Sequence, residues 1–168
     1  MRAEELGKKN QVGQLGWDDR FLDLAAFIAS WSKDPSTKCG AVLTKGNRVV
    51  SVGYNGFPRG VDDNIELLES RDKKYPRIIH AEMNALMFAR GRTKGCTLYT
   101  WPFQPCAPCA GPIIQADVIR VVSPLHHVEA AERWNESFKL AADMFGQSRV
   151  VLLLKVETEE QEMRRAQR

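Results

Sequence analysis

The chain contains no apolar run approaching the roughly 18 consecutive residues of a membrane span, so it is expected to be soluble, with no membrane partner. Its start, Met1 to Gly16, carries charges but lacks the apolar stretch of roughly 7–15 residues found in a secretory signal, so a cytoplasmic protein with a flexible arm over residues 1–16 is expected. A strong excess of either charge is also missing. The 24 basic residues against 21 acidic ones leave a formal charge of +3, and no basic stripe concentrates it, which argues against a nucleic-acid partner. Arg71, Lys73 and Lys74 lie among Glu66, Glu69 and Asp72 and read as a solvated polar face. There is no internal repeat. With 168 residues and 43% hydrophobic content, the chain has the material for one globular domain, placed at residues 17–156, followed by a charged, helical tail at 157–168.

Periodicity supplies the elements. Phe21, Leu24, Ala25, Ile28 and Trp31 mark one face of a helix over Asp18–Trp31. Cys39–Thr44 and Arg48–Tyr54 flank Lys45-Gly46-Asn47 and predict a hairpin. A short exposed helix is expected over Asn64–Lys74, and a longer one over His80–Arg90, stopped by Gly91. Strands follow at Cys96–Trp101, Val118–Val122 and Val150–Val156, with helices over Cys106–Ala116 and Glu129–Phe145 between them. In the terminal helix, Glu160 and Arg164 have favourable i, i+4 order. Pro112, inside the Cys106 helix, is expected to kink or shorten it. The alternation of strands and helices implies a layered α/β domain.

Cysteine is scarce, and two of the four sit in Pro105-Cys106-Ala107-Pro108-Cys109, downstream of His80-Ala81-Glu82. The local Cys-x-x-Cys with a distant His-x-Glu favours a metal site over a disulfide framework. Cys39 and Cys96 read as buried small hydrophobes. One imidazole and two thiolates from His80, Cys106 and Cys109 make a three-ligand Zn²⁺ site with one position open to water, the pattern of catalytic rather than structural zinc. Two thiolates cancel the formal charge of the ion, so its water is acidified less than by three histidines, and a nearby base is useful. Glu82 is that candidate. His-x-Glu with Pro-Cys-x-x-Cys is the signature of zinc nucleobase deaminases, in which the glutamate would take the water proton, pass it to ring N3 as zinc hydroxide attacks C4, and protonate the departing amine.

Beyond these motifs, residues 31–42 (Trp-Ser-Lys-Asp-Pro-Ser-Thr-Lys-Cys-Gly-Ala-Val), Gly53-Tyr54-Asn55-Gly56-Phe57-Pro58-Arg59-Gly60, Lys74-Tyr75-Pro76, His80 to Leu86 and Ile113-Ile114-Gln115-Ala116 together resemble the deoxycytidylate deaminase family over roughly residues 18–123. The resemblance implies the cytidine-deaminase fold, a three-layer α/β/α arrangement around a mixed five-stranded sheet, and hydrolysis of dCMP to dUMP and ammonia. It makes His80, Cys106 and Cys109 the ligands of one Zn²⁺ per chain and Glu82 the proton shuttle. Asn55 would bind substrate at the sugar. Lys33, a cation at the end of the first helix, is read as the phosphate contact, with an ordinary solvated lysine as the alternative. A homo-oligomer is implied, with dCTP and dTTP as effectors, and the apolar residues from Trp134 to Phe145 would serve either a subunit interface or the core.

The chain departs from the family in several places. Tyr99 reaches Cys106 through a lead-in, Thr100 to Pro105, that is one residue longer, and Asp117 stands where the family commonly has glycine. After Val122 a family segment with an aromatic residue near the substrate is replaced by Ser123 to Glu129, with His126, His127 and then Trp134. These departures keep open a deaminase of another amino-bearing base or nucleotide, such as modified dCMP, dCTP or free cytosine. An RNA-editing deaminase and a non-catalytic zinc scaffold are the remaining readings.

Overall fold

The computed structural model describes residues 16–125 and 132–167. The arm expected over 1–16, apart from Gly16, lies outside these residues, as do His126, His127 and the beginning of the helix expected at Glu129. Five strands form one mixed sheet in the order β2-β1-β3-β4-β5. These are β1 (Gly40–Lys45), β2 (Arg48–Tyr54), β3 (Thr97–Trp101), β4 (Arg120–Pro124) and β5 (Val151–Lys155). β1 runs antiparallel to β2 and β3, whereas β3, β4 and β5 are parallel.

Strand side chains alternate between two buried layers, as the pleat requires. Val42, Tyr99 and Val122 face helix α1 (Trp17–Ala29), which buries Phe21, Leu22, Ala25 and Ile28 against them. On the opposite face, Ala41, Leu43, Leu98 and Val121 pack against α4 (Ala81–Phe88), α5 (Ala107–Gln115) and α6 (Asn135–Ser148). The result is a three-layer α/β/α domain. None of the described helices is long and apolar enough to cross a membrane.

Several expectations are corrected. Helix α1 ends at Ala29, so Trp31 leaves the buried face and meets Tyr54 edge-on at the surface, half exposed. The single exposed helix expected over Asn64–Lys74 is two short ones, α2 (Ile65–Glu69) and α3 (Arg71–Lys74), broken at Ser70. Lys74 is not on a solvated face, because it is 3% exposed. Pro112 does not shorten its helix: α5 runs through it to Gln115, and the proline's missing N–H would have met the exposed Pro108. Asp117, at φ 57°, takes the left-handed turn after α5 that glycine adopts without strain and aspartate tolerates better than most residues. On α6, Ala141 and Phe145 are buried in the core, so the core option holds for them.

The C-terminal helix α7 (Glu159–Ala166) opens with a capping box between Thr158 and Gln161 and lies against α1. Arg165, 1% exposed, donates through Nε to Asp23 at 2.7 Å and pairs with Glu157. Arg164 pairs with Asp23 at 3.0 Å rather than with Glu160.

Candidate active site

Two helix N-termini on the same side of the sheet create the centre of the site. His80 is the N-cap of α4 and Cys106 the N-cap of α5, while Cys109 sits in the first turn of α5. Glycine makes the first placement possible, because a Cβ at Gly53 of β2 would overlap the Ala81 carbonyl oxygen and the Ala85 amide nitrogen. With hydrogen there instead, α4 lies directly on β2. The amides of the first turn of α5 and its dipole favour negative charge at the two sulfurs.

The His80 Nδ1 atom lies 3.4 Å from Cys106 Sγ and 3.3 Å from Cys109 Sγ. All three donor atoms fall within 4.8 Å of one another. A Zn²⁺ ion with bonds of about 2.1 Å to nitrogen and 2.3 Å to sulfur holds nitrogen and sulfur about 3.6 Å apart at a tetrahedral angle, so the donor set fits that ion. Proton sharing reports the same closeness. The Cys106 thiol is lowered to about 4, first by the hydrogen bond from Cys109 and then by His80. Cys109 is pushed up as the donor of that bond, and His80 is raised by its bond to Cys106. The trio thus favours a thiolate at Cys106, a donor suited to a divalent metal ion.

Cys106 and His80 line a cavity of about 300 Å³, and Cys109 stands behind them. Glu82 lines it as well, 7% exposed, its carboxyl raised above the usual carboxylate range by burial and held back partly by His80. Cys39, half-buried, packs against the core and also lines the cavity, and burial pushes its thiol up. Cys96 is fully buried, as a core residue, with its thiol donating to the Arg92 carbonyl.

Asn55 reaches the cavity wall, where its side chain ties loops together. Its Oδ1 accepts from the Cys39 amide at 2.7 Å, and its Nδ2 donates to the Thr37 carbonyl at 2.9 Å and to Asp34 at 3.4 Å. Asp34 is the hub that sequence reading missed. It accepts from the Ser36 amide at 2.8 Å and from the Lys74 ammonium at 2.8 Å, with both members of the ion pair under 5% exposed. The available signal was the Lys74-Tyr75-Pro76 segment, which the charge pattern around it disguised.

Lys33 is placed elsewhere. Its ammonium, 70% exposed, pairs with Asp63 at 2.8 Å, and it does not line the cavity. Among the described residues, the cations that do are Arg71, Lys74 and Arg133. Aromatic residues complete the walls. Trp134 meets Tyr75 edge-on at 6.5 Å, Phe103 packs on Phe138 at 6.0 Å, and Gln104 of the longer lead-in donates to the Phe138 carbonyl at 3.0 Å.

Comparison with known proteins points the same way as this geometry. Residues 15–124 match the family model described as the cytidine and deoxycytidylate deaminase zinc-binding region. A protein of Aliivibrio fischeri named "Uncharacterized deaminase in luxG 3'region" is 44% identical over 134 residues, covering 80% of this chain and 90% of its own length. The deoxycytidylate deaminase of Mus musculus is 36% identical over 151 residues, 84% of each chain. In fold, the chain is similar to the crystal structure of dCMP deaminase from the cyanophage S-TIM5 in complex with dCMP and dUMP. The TM-score is 0.66 at 23% identity, covering 92% of this chain and 99% of that one.

Proposed function

Since this chain belongs to the cytidine and deoxycytidylate deaminase zinc-binding family, we propose that it hydrolyses the 4-amino group of dCMP, giving dUMP and ammonia. The observation that carries this reading is the meeting of three donor atoms, from His80, Cys106 and Cys109, with the buried Glu82 in one cavity. Those three residues would hold one Zn²⁺, which when bound supplies Lewis acidity toward water and substrate.

The chain's own residues do the rest. Glu82 takes a proton from the attacking water and delivers it to ring N3 as the C4–O bond forms. It then carries the second water proton to the amino nitrogen, the C4–N bond breaks, N3 keeps its proton and the oxygen becomes the 4-carbonyl of the product. A carboxyl raised by burial suits this work, because a proton carrier is most effective when its pKa approaches the working pH. Aromatic walls at Trp101, Phe103 and Trp134 favour a flat base and exclude water from it. Asn55 orients the sugar side of the cavity through the loop contacts described above.

Residues 17–156 form the catalytic domain in this reading, which also includes a homo-oligomer and response to dCTP and dTTP. The test is a substrate panel on zinc-replete protein: dCMP, dCTP, deoxycytidine, cytosine and 5-substituted dCMP, scored by ammonia release and product mass. Conversion chiefly of dCMP supports the reading, and a better rate on another member transfers the assignment to that compound. Repeating the dCMP rate with added dCTP and dTTP tests the control, which an unchanged rate removes.

A further inference from the structure

Among the described residues three cations line the cavity, and their surroundings differ. Lys74 is 3% exposed and committed: its ammonium pairs with Asp34 and donates to Ser36 Oγ at 3.2 Å. Its charge is therefore cancelled where it sits. Arg71 and Arg133 are exposed, and neither has a carboxylate partner among the described residues. Among the described residues, the acids lining the cavity are Asp34, already taken by Lys74, and Glu82 beside the donor trio. Among the described residues, the positive charge at the cavity without a carboxylate partner thus belongs to two guanidinium groups.

These groups come from segments far apart in sequence that meet at the cavity. Arg71 begins α3, and Tyr75 follows that helix; Arg133 precedes Trp134 in the 3-10 turn Glu132–Trp134. The Tyr75 and Trp134 rings touch edge-on, so the two arginine-bearing segments are joined. The Arg133 guanidinium lies 5.3 Å from the centre of the Trp134 ring, a contact that restrains it. A guanidinium offers a planar fork of donors that matches phosphate oxygens, and paired forks from two segments can read a doubly charged monoester.

Resting on the dCMP reading above, we infer that Arg71 and Arg133 are the specificity-determining residues for the substrate's 5′-phosphate. In this assignment the Asp34–Lys74 pair sets the wall between them and Asn55 without reading the phosphate. The phosphate role first read for Lys33, which does not line the cavity, thereby passes to a different pair of cations.

The experiment measures kcat/KM for dCMP and for deoxycytidine, which differ only in the phosphate, on zinc-replete wild type, R71A, R133A, R71A/R133A and Asp34→Asn. Each arginine variant is expected to lose about ten- to a hundredfold on dCMP while its rate on deoxycytidine stays put, since a charge-assisted hydrogen bond carries a difference of that order. Asp34→Asn is expected to lower both substrates in parallel. Both arginines are exposed, so their removal leaves the fold intact, and a circular-dichroism melt checks this. A double variant that keeps the wild-type preference for dCMP overturns the arginine assignment alone, as does an equal loss on both substrates. Wild type that ignores dCMP overturns the substrate reading, and this inference with it.

Discussion

At its floor the cavity is made by two helix N-termini pressed onto a buried sheet, whereas at its mouth it is made by short segments held to one another by an ion pair and edge-on rings. The floor residues His80, Cys106 and Cys109 inherit their positions from regular elements, α4 and α5, whose cores are buried on the strands. The mouth residues Arg71, Lys74, Arg133 and Trp134 stand on α3, a single turn, and on a 3-10 turn. In the proposed reading the difference assigns roles: a site that must hold atoms within tenths of an ångström sits on the rigid part, and the part that would select a substrate sits on connections, where segments change with little cost to the core.

The largest effect should come from the floor. Cys109→Ser is expected to lose bound zinc and essentially all turnover, read by metal analysis of the purified protein and by ammonia release; retention of one zinc with normal turnover would detach the metal from this trio. At the mouth, Asp34→Asn leaves the Lys74 ammonium buried without its counter-charge, a defect worth about 3–5 kcal/mol. Thermal unfolding should reveal that loss, with zinc content unchanged. Equal stability would mean that the pair is solvated and not the anchor of the wall.

The packing beneath the floor can be tested by Gly53→Ala, since the new methyl meets the backbone of α4. A destabilisation of about 1–3 kcal/mol is expected for such overpacking, together with slower turnover as His80 and Glu82 shift. An unchanged rate would show that α4 tolerates displacement and that the floor is looser than described.

The smallest effect concerns the opposite face of the sheet. Asp18 accepts two bonds from Arg120, at 2.7 and 2.9 Å, and one from Tyr99 at 2.8 Å, and its carboxyl is held below the usual range, first by Arg120. A depressed carboxyl stabilises the fold above its unfolded pKa and loses that contribution as pH falls through the folded value. Asp18→Asn should therefore cost about 1 kcal/mol at neutral pH and progressively less in acid, with turnover per folded molecule unaffected. Urea unfolding at several pH values checks this, and a deficit that grows in acid would contradict it.

This contrast also explains what could be read from the chain. The floor was legible because its chemistry is local: His-x-Glu and Cys-x-x-Cys each lie within one helical turn, and the hydrophobic period around them marks the helices that carry them. β2 was bounded by the same residues, Arg48 and Tyr54, because its hairpin has a clear turn signal. The mouth was not legible, because its contacts join residues tens of positions apart. The Lys74-Tyr75-Pro76 segment marks Lys74 but not its partner Asp34, 40 residues earlier, and a lysine among acids reads as solvated until the chain brings a buried carboxylate to it. Lys33 suffered the reverse error. It sits beside the hub in sequence, yet its ammonium turns outward to Asp63.

The central claim is that Glu82 moves protons in a cavity whose metal is held by other residues. The most direct measurement is dCMP turnover in ¹⁸O-labelled water by wild type and Glu82→Gln, with zinc counted in both. The account predicts dUMP carrying one heavy oxygen from wild type, and from the variant one retained zinc with turnover lowered about a hundred- to ten-thousandfold. Glu82→Gln turning over at the wild-type rate with its zinc in place would contradict it.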